Sequence, residues 1–203
     1  MSQTSGTVEI EHILSLDFSD PFNEDYSMVE KEGEKEHKPF GKNSHTIIDH
    51  NDCVVEATNQ AAKLAKGDIL IYLSDDFKCP KNWDLLLVEK FKDLNRPALI
   101  KVDDCLQKFH VPVLTIPIMN SLLFKKLGYF WHPGYRSMFV DEDLFWVCET
   151  NGFMIYAPDL QFPHEHPANG KAQSDETYKR SSANWDQGKA MFAKRKQEGF
   201  KLP

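Results

Sequence analysis

The sequence has no basic run longer than the triplet Lys194-Arg195-Lys196, no apolar stretch approaching the length of a membrane helix, and no Cys-x-x-Cys pair. The first absence, together with a net charge of −7, argues against nucleic acid as the main partner, because phosphate backbones are held by clustered cations. A nucleotide held through a metal ion needs no basic surface, so acidity does not count against one. The second absence excludes a helical membrane span. The opening M-S-Q-T-S-G has neither the basic flank nor the apolar core of a signal peptide, and the expected location is the cytosol. Cys53, Cys79, Cys105 and Cys148 are scattered, which fits reduced, mostly buried thiols rather than disulfides or a zinc knuckle. Internal repeats and long linkers are also missing, so the 203 residues are expected to form one domain.

The apolar residues that are present fall into short runs alternating with helical patterns. Val8 to Leu16 alternates and then turns apolar, the pattern of a strand entering a core, and Asp17 closes it before the turn F-S-D-P. Asn23 to Lys42 is polar and charged, with Gly33, Pro39 and Gly41, and reads as a mobile surface loop. Thr46 to Asp49 is a short strand. Asn51 or Asp52 then caps a helix to about Lys66, with Gly67 as its stop. Ala98 to Val102 is a further strand. Val111 to Ile118 is apolar, but Pro112 and Pro117 push it toward an edge or an irregular segment. Asn120 caps a helix through Leu127 that Gly128 ends. Asp141 to Asn151 is a helix stopped by Gly152, and Phe153 to Ala157 is a strand. From Ser174 to Phe200 the pattern is weakly amphipathic, interrupted by Gly188, and expected to wrap the outside. Alternating strands and helices predict an α/β layered fold.

The chemistry concentrates in G-D-I-L-I-Y-L-S-D-D-F-K-C-P-K-N-W, residues 67–83. Asp68 to Leu73 reads as a strand buried on both faces, and Asp75 and Asp76 follow its C-terminal end, where open α/β sheets bind ligands. Pro80 fits the first turn of a helix burying Trp83, Leu86, Leu87, Phe91 and Leu94. The alternative is a strand-to-helix turn in which Ser74, Asp75 or Asp76 only caps the helix.

The chain shows, in order, a strand ending in Asp17, then A-T-N-Q-A-A-K-L-A-K-G-D-I-L-I-Y-L-S-D-D, L-G-Y-F, D-E-D-L-F-W-V-C-E-T-N-G-F-M-I-Y-A-P, and P-H-E-H. This order resembles family 2 glycosyltransferases of the GT-A fold, inverting enzymes that use nucleotide-diphosphate sugars, over roughly Val8 to His166. The resemblance implies an α/β, Rossmann-like, three-layer fold with a mixed, mainly parallel central sheet. It divides the single domain into a nucleotide-binding half at 8–102, an acceptor and catalytic half at 103–170, and a helical tail at 171–203. Asp17 matches the acid that contacts the base. Asn59 matches the Asn of an Arg-Asn helix, with Thr58 in the Arg position. Ser74-Asp75-Asp76 occupies the D-x-D position, which makes Asp76 a metal ligand and Asp75 a helper toward ribose or metal. Val140 to Leu144 aligns with E-D-x-D-L, which puts Asp141 on the catalytic base. His164 matches a metal-ligating His, with His166 as its competitor.

The implied reaction moves a sugar from a nucleotide-diphosphate donor, UDP-linked by expectation, to an acceptor hydroxyl on a carbohydrate or another molecule. The implied cofactor is Mn2+ or Mg2+: hard oxygen ligands such as Asp76 suit either, and an imidazole tilts the choice toward manganese. Inversion needs a base opposite the leaving group, and a carboxylate such as Asp141, with an ordinary pKa of about 4, is ionised at neutral pH. Trp131 and Asp143 are the candidate acceptor contacts. The aromatic loop Tyr129 to Tyr135 either stacks on the acceptor through Trp131, His132 and Tyr135 or closes the core. Asp141, Glu142 and Asp143 also favour a helix N-terminus without any catalytic role, and Asp17 could form only an Asx turn.

Family members begin with an additional apolar strand, a loop and a helix, whereas M-S-Q-T-S-G-T alone precedes Val8 here. The chain is then a fragment, a start-site artefact or a divergent compact member. A sheet without that strand has two neighbours with unpaired backbone groups, to be covered by closing the gap or by another chain, including self-association across the exposed sheet. Two rival functions follow: an inactive nucleotide-sugar or carbohydrate binding module on the same fold, and a metal hydrolase with Asp75, Asp76, His164 and His166 around one ion.

Overall fold

Strand β1 (His12–Asp17) pairs in parallel with β2 (Ser44–Asp49), Asp17 lying opposite Asp49, and these two form a sheet of their own. The computed structural model describes residues 3–18, 43–166, 170 and 183–203. The loop expected over Asn23 to Lys42, part of the F-S-D-P turn, and the helical pattern from Ser174 to residue 182 lie outside the described residues. The second sheet is built from β3 (Ile69–Ile71), β4 (Leu99–Asp103), β5 (Ile118–Asn120) and β6 (Met154–Gln161), in the order β3-β5-β4-β6. Helices α1 (Val54–Leu64), α2 (Trp83–Phe91), α3 (Ser121–Leu127), α4 (Val140–Thr150) and α5 (Trp185–Gln197) complete the described elements.

The α/β class stands, but a single, mainly parallel sheet does not. In the four-stranded sheet β5 runs antiparallel to both β3 and β4, and β4 pairs in parallel with β6 alone. The cause is the connection between β4 and β5. It contains Pro112 and Pro117 and no helix, so the chain returns beside β4 in the opposite sense instead of crossing over. Only the three residues after Pro117 join the ladder, and they do so inside the sheet, not at its edge.

Side-chain alternation along these strands separates two cores. Leu70, Leu99 and Met119 point to the face covered by Val55 and Ala62 of α1, Leu123 and Leu127 of α3, and Leu144, Val147 and Cys148 of α4. Ile100, Val102 and Ile118 point to the other face, against Leu87 of α2 and Ala157, Leu160 and Phe162. Strand β3 is shorter than Asp68 to Leu73. Only Leu70 is buried in it, because β3 is an edge strand and Ile69 and Ile71 keep part of their surface. In α2 the inward positions are Leu87 and Asp84, and Leu86 is exposed. Ser5 fixes that rotation, its backbone N–H donating to Asp84 Oδ1 at 2.9 Å.

Several helix ends follow from local chemistry. Asn120 caps α3, its Oδ1 accepting from Leu123 N at 3.0 Å, and Gly128 closes the helix at φ +74°. For α1 the cap position falls to Cys53, because Asn51 is turned toward Asp17 and the N–H of Asp52 donates to Glu56. Gly188 does not interrupt the last helix. Helix α5 runs through it, and a Cβ there would lie 2.4 Å from the Met138 carbonyl oxygen, so the missing side chain lets α5 press onto the segment before α4.

Candidate functional site

Strands β3 and β4, both antiparallel to β5, end on the same side of the sheet, and each delivers one half of the site. Beyond β3 the Tyr72 N–H donates to the Pro117 carbonyl at 3.2 Å, and the chain turns at Asp75 and Asp76. Beyond β6 the chain follows the end of β4: Phe162 N donates to Asp103 O at 2.8 Å and His164 N to Asp104 O at 2.9 Å. The two extensions then run antiparallel. Lys78 N donates to Pro163 O at 2.9 Å, Glu165 N to Asp76 O at 2.8 Å, and the Phe77 ring stacks on His164 with centroids 4.2 Å apart.

This scaffold holds His164 Nε2 2.8 Å from Asp76 Oδ2, although the residues are 88 positions apart. Ser74 Oγ donates to the other oxygen of Asp76. Burial alone would raise the Asp76 pKa, but the hydrogen bonds from Ser74 and His164 outweigh it and hold the carboxyl below its ordinary value. His166 lies with its ring 5.0 Å from that of His164, and burial and the neighbouring imidazole lower its pKa. Asp75 is exposed at the turn, and its charge and that of Asp76 add to burial in raising the Tyr72 phenol.

Tyr72 connects this pair to the aromatic loop, meeting the Trp131 ring edge-on at 5.7 Å. Asn59, on α1, holds that loop by its backbone. Its Oδ1 accepts from Phe130 N at 2.8 Å and Trp131 N at 2.9 Å, and its Nδ2 donates to Trp131 O at 2.7 Å. Trp131 and Tyr135 are 4% and 2% exposed, so these rings close the core, while His132 keeps part of its surface.

The first turn of α4 presents acids on two sides, since positions two apart on a helix differ by about 200°. Asp143 faces inward at 1% exposure, and its Oδ1 accepts from Arg195 Nε at 2.9 Å and from the Tyr135 hydroxyl at 3.1 Å. Asp141 faces Lys101. Burial pushes the Asp141 carboxyl above its ordinary pKa, and backbone N–H groups of the first turn and the Lys101 charge pull the other way. Lys101 is buried, donates to the carbonyls of Val111 and Val113 at 2.6 Å each, and lies over the Phe145 ring. Its ammonium is lowered by burial and supported by the charges of Asp104 and Asp141.

Lys101 and Asp104 were not anticipated from the sequence. The available signal is a lone lysine inside the apolar run A-L-I-K-V. Asp17 ends β1 in the two-stranded sheet, its Oδ2 accepting from Asn51 N at 3.1 Å. The structure therefore brings together Asp75, Asp76, His164 and His166, with Asn59 and Trp131 behind them. It puts Asp143 inside the protein.

Among the described residues no three His, Cys, Asp or Glu side chains are arranged to hold a metal ion, so a hydrolytic centre with four protein ligands is not formed. Asp76 and His164 can still serve as two. At 2.8 Å their Oδ2 and Nε2 are hydrogen-bonded to each other, so an octahedral ion would have to displace that proton before both could coordinate it. Such ions are commonly held by one or two protein ligands, with phosphate oxygens and water supplying the rest. Among the described residues no helix is long and apolar enough to cross a membrane. No protein-family model matches the chain, and no curated protein matches it.

Proposed function

We propose that the protein is an inverting glycosyltransferase of GT-A type, acting on a nucleotide-diphosphate sugar with Mn2+ or Mg2+. The observation that carries this reading is the contact of Asp76 with His164 at the C-terminal ends of β3 and β4, where a diphosphate and its ion would lie. Asp76 Oδ2 and His164 Nε2 would hold the ion, with Asp75 beside them toward the ribose. The ion, when bound, neutralises the charge that develops on the departing diphosphate. Ser74 keeps Asp76 ionised and oriented, and Phe77 fixes the plane of the imidazole. Asp141 takes the proton from the acceptor hydroxyl as its oxygen bonds the anomeric carbon from the face opposite the donor phosphate. The sugar–phosphate bond breaks, and its electron pair leaves with the nucleoside diphosphate. Burial raises the Asp141 carboxyl above its ordinary value, which strengthens it as a proton acceptor, while the backbone N–H groups of the first turn and then the Lys101 charge oppose the rise.

A second reading, a nucleotide-sugar or carbohydrate binding module without catalysis, is favoured by the burial of Trp131 and Asp143, the expected acceptor contacts. One assay separates the two: manganese-dependent binding and turnover of a panel of nucleotide sugars by wild type, Asp76→Ala and Asp141→Asn. Asp76→Ala is expected to lose metal-dependent donor binding. Asp141→Asn is expected to keep binding and lose transfer. Donor binding with neither transfer nor donor hydrolysis for any sugar would select the module, and no donor binding at all would dismiss the transferase and the nucleotide-sugar module.

A further inference from the structure

Trp131 and Asp143, the acceptor contacts expected from the sequence, are turned into the core, whereas Asp141 keeps part of its surface. What an acceptor meets on its way to Asp141 is set by the stripe of α4 that carries this residue. Asp141, Phe145 and Glu149 recur every four residues and lie one above the next on that helix. The stripe looks onto β4 and β6 at the edge of the sheet: the Phe145 ring lies 5.2 Å from Lys101 Nζ, and Glu149 Oε2 accepts from the Tyr156 hydroxyl at 2.8 Å. Tyr156 stands beside Lys101 in the parallel ladder of β4 and β6, so both side chains leave the same face. The connection after β4 returns to this place, because Lys101 donates to the Val111 and Val113 carbonyls. It sets the Phe109 ring 5.8 Å from Lys101 Nζ and edge-on to Tyr156 at 6.0 Å.

Two aromatic rings are therefore displayed along one line with the carboxylate assigned as the base. Tyr156 is 47% exposed and Phe109 is half-buried, and Gln107, His110 and Glu149, all with hydrogen-bonding side chains, are exposed around them. An aromatic surface with a wet, polar rim matches a pyranose, which offers a C–H face to a ring and hydroxyls at its margin. From Asp141 to Glu149 the stripe covers eight residues, about 12 Å of helix and longer than a single sugar ring. We propose that Phe109 and Tyr156 form the acceptor subsite and that the acceptor is an oligosaccharide of two or more rings. The reacting ring lies at Asp141 and the ring joined to it lies on the aromatic pair. This deepens the transferase reading and rests on it for the role of Asp141.

The test titrates the full chain, without donor, with maltose, cellobiose, lactose and chitobiose and with their constituent monosaccharides, read by calorimetry. At least one disaccharide is expected to bind about tenfold tighter than its monosaccharides, the gain from one ring-face contact. Phe109→Ala and Tyr156→Ala should each weaken that disaccharide by about fivefold to tenfold. Tyr156→Phe keeps the ring and drops only the bond to Glu149, so it should stay within about twofold of wild type. Asp76→Ala should bind the disaccharide as wild type does, and so should Trp185→Ala, which removes a half-exposed aromatic that packs on Phe139. Circular dichroism melting confirms that each variant is folded. The proposal falls if no disaccharide is preferred, or if both alanine variants at Phe109 and Tyr156 bind like wild type. It also falls if Tyr156→Phe loses as much as Tyr156→Ala, or if Trp185→Ala loses as much as either. Disaccharide binding on these rings with no donor binding would overturn the transferase and leave a carbohydrate-binding surface. Donor turnover with ring variants indistinguishable from wild type would overturn the subsite alone.

Discussion

Replacing Asp143 with alanine should act on stability and not on chemistry. The carboxylate is 1% exposed and accepts from Arg195 Nε at 2.9 Å and from Tyr135 at 3.1 Å, so its removal leaves a guanidinium buried without its counter-ion. Removing one member of a buried ion pair costs about 3–5 kcal/mol. That is a large part of a domain stability of roughly 5–15 kcal/mol. At about 2–4 °C per kcal/mol for a chain of this length, the melting temperature should fall by roughly 6–20 °C. Tyr135→Phe removes one hydrogen bond and should cost only about 1 kcal/mol. The double variant Asp143→Leu with Arg195→Met takes away both charges together and should recover most of the loss, because burying the pair carries its own desolvation cost. Urea unfolding followed by circular dichroism measures all three. An Asp143→Ala midpoint within about 1 kcal/mol of wild type, or a double variant no better than the single one, would refute the account of Asp143 as a structural anchor for α5.

Gly188→Ala should destabilise the chain even though alanine is the better helix former by about 1 kcal/mol. The new Cβ would lie 2.4 Å from the Met138 carbonyl oxygen, and backbone cannot move aside as a side chain can. A net loss of about 1–3 kcal/mol is expected in the same urea assay. The Asp141 carboxyl is raised by burial, and transfer needs it ionised. Activity should therefore be present above the raised pKa and lost as pH falls through it, with the acid limb of kcat above the ordinary carboxylate range. Lys101→Met should move that limb higher still. The same shift makes ionised Asp141 a cost to folding that is full above its folded pKa and relieved as pH falls toward the unfolded value. Asp141→Asn should thus be more stable than wild type at neutral pH while losing transfer. Denaturation and pH–rate profiles on one preparation check both halves.

Helix α3 was legible at both ends because Asn120 and Gly128 act on backbone groups within a few residues of themselves. The acids after β3 were legible for the same reason, a short apolar run followed by polar residues marking a strand end, whereas His164 was picked out by the family resemblance. Gly188 was misread, since glycine inside a helical pattern has the same local appearance whether it breaks a helix or lets another backbone approach. Lys101 passed unnoticed in an apolar strand because its acceptors, Val111 and Val113, come from a connection with no periodicity of its own.

Sequence alone determined the α/β class, most of the strand and helix positions, and the residue types available for chemistry. Those properties come from hydrophobic period and capping, which operate over a few residues. Tertiary structure decided that β5 turns back between β3 and β4 and that the strands divide into two sheets. It also decided that Asp76 meets His164 across 88 positions while Asp143 is taken inward by Arg195 across 52. Which carboxylate meets an imidazole and which is buried against a guanidinium depends on the path of the whole chain, and no local pattern carries that information.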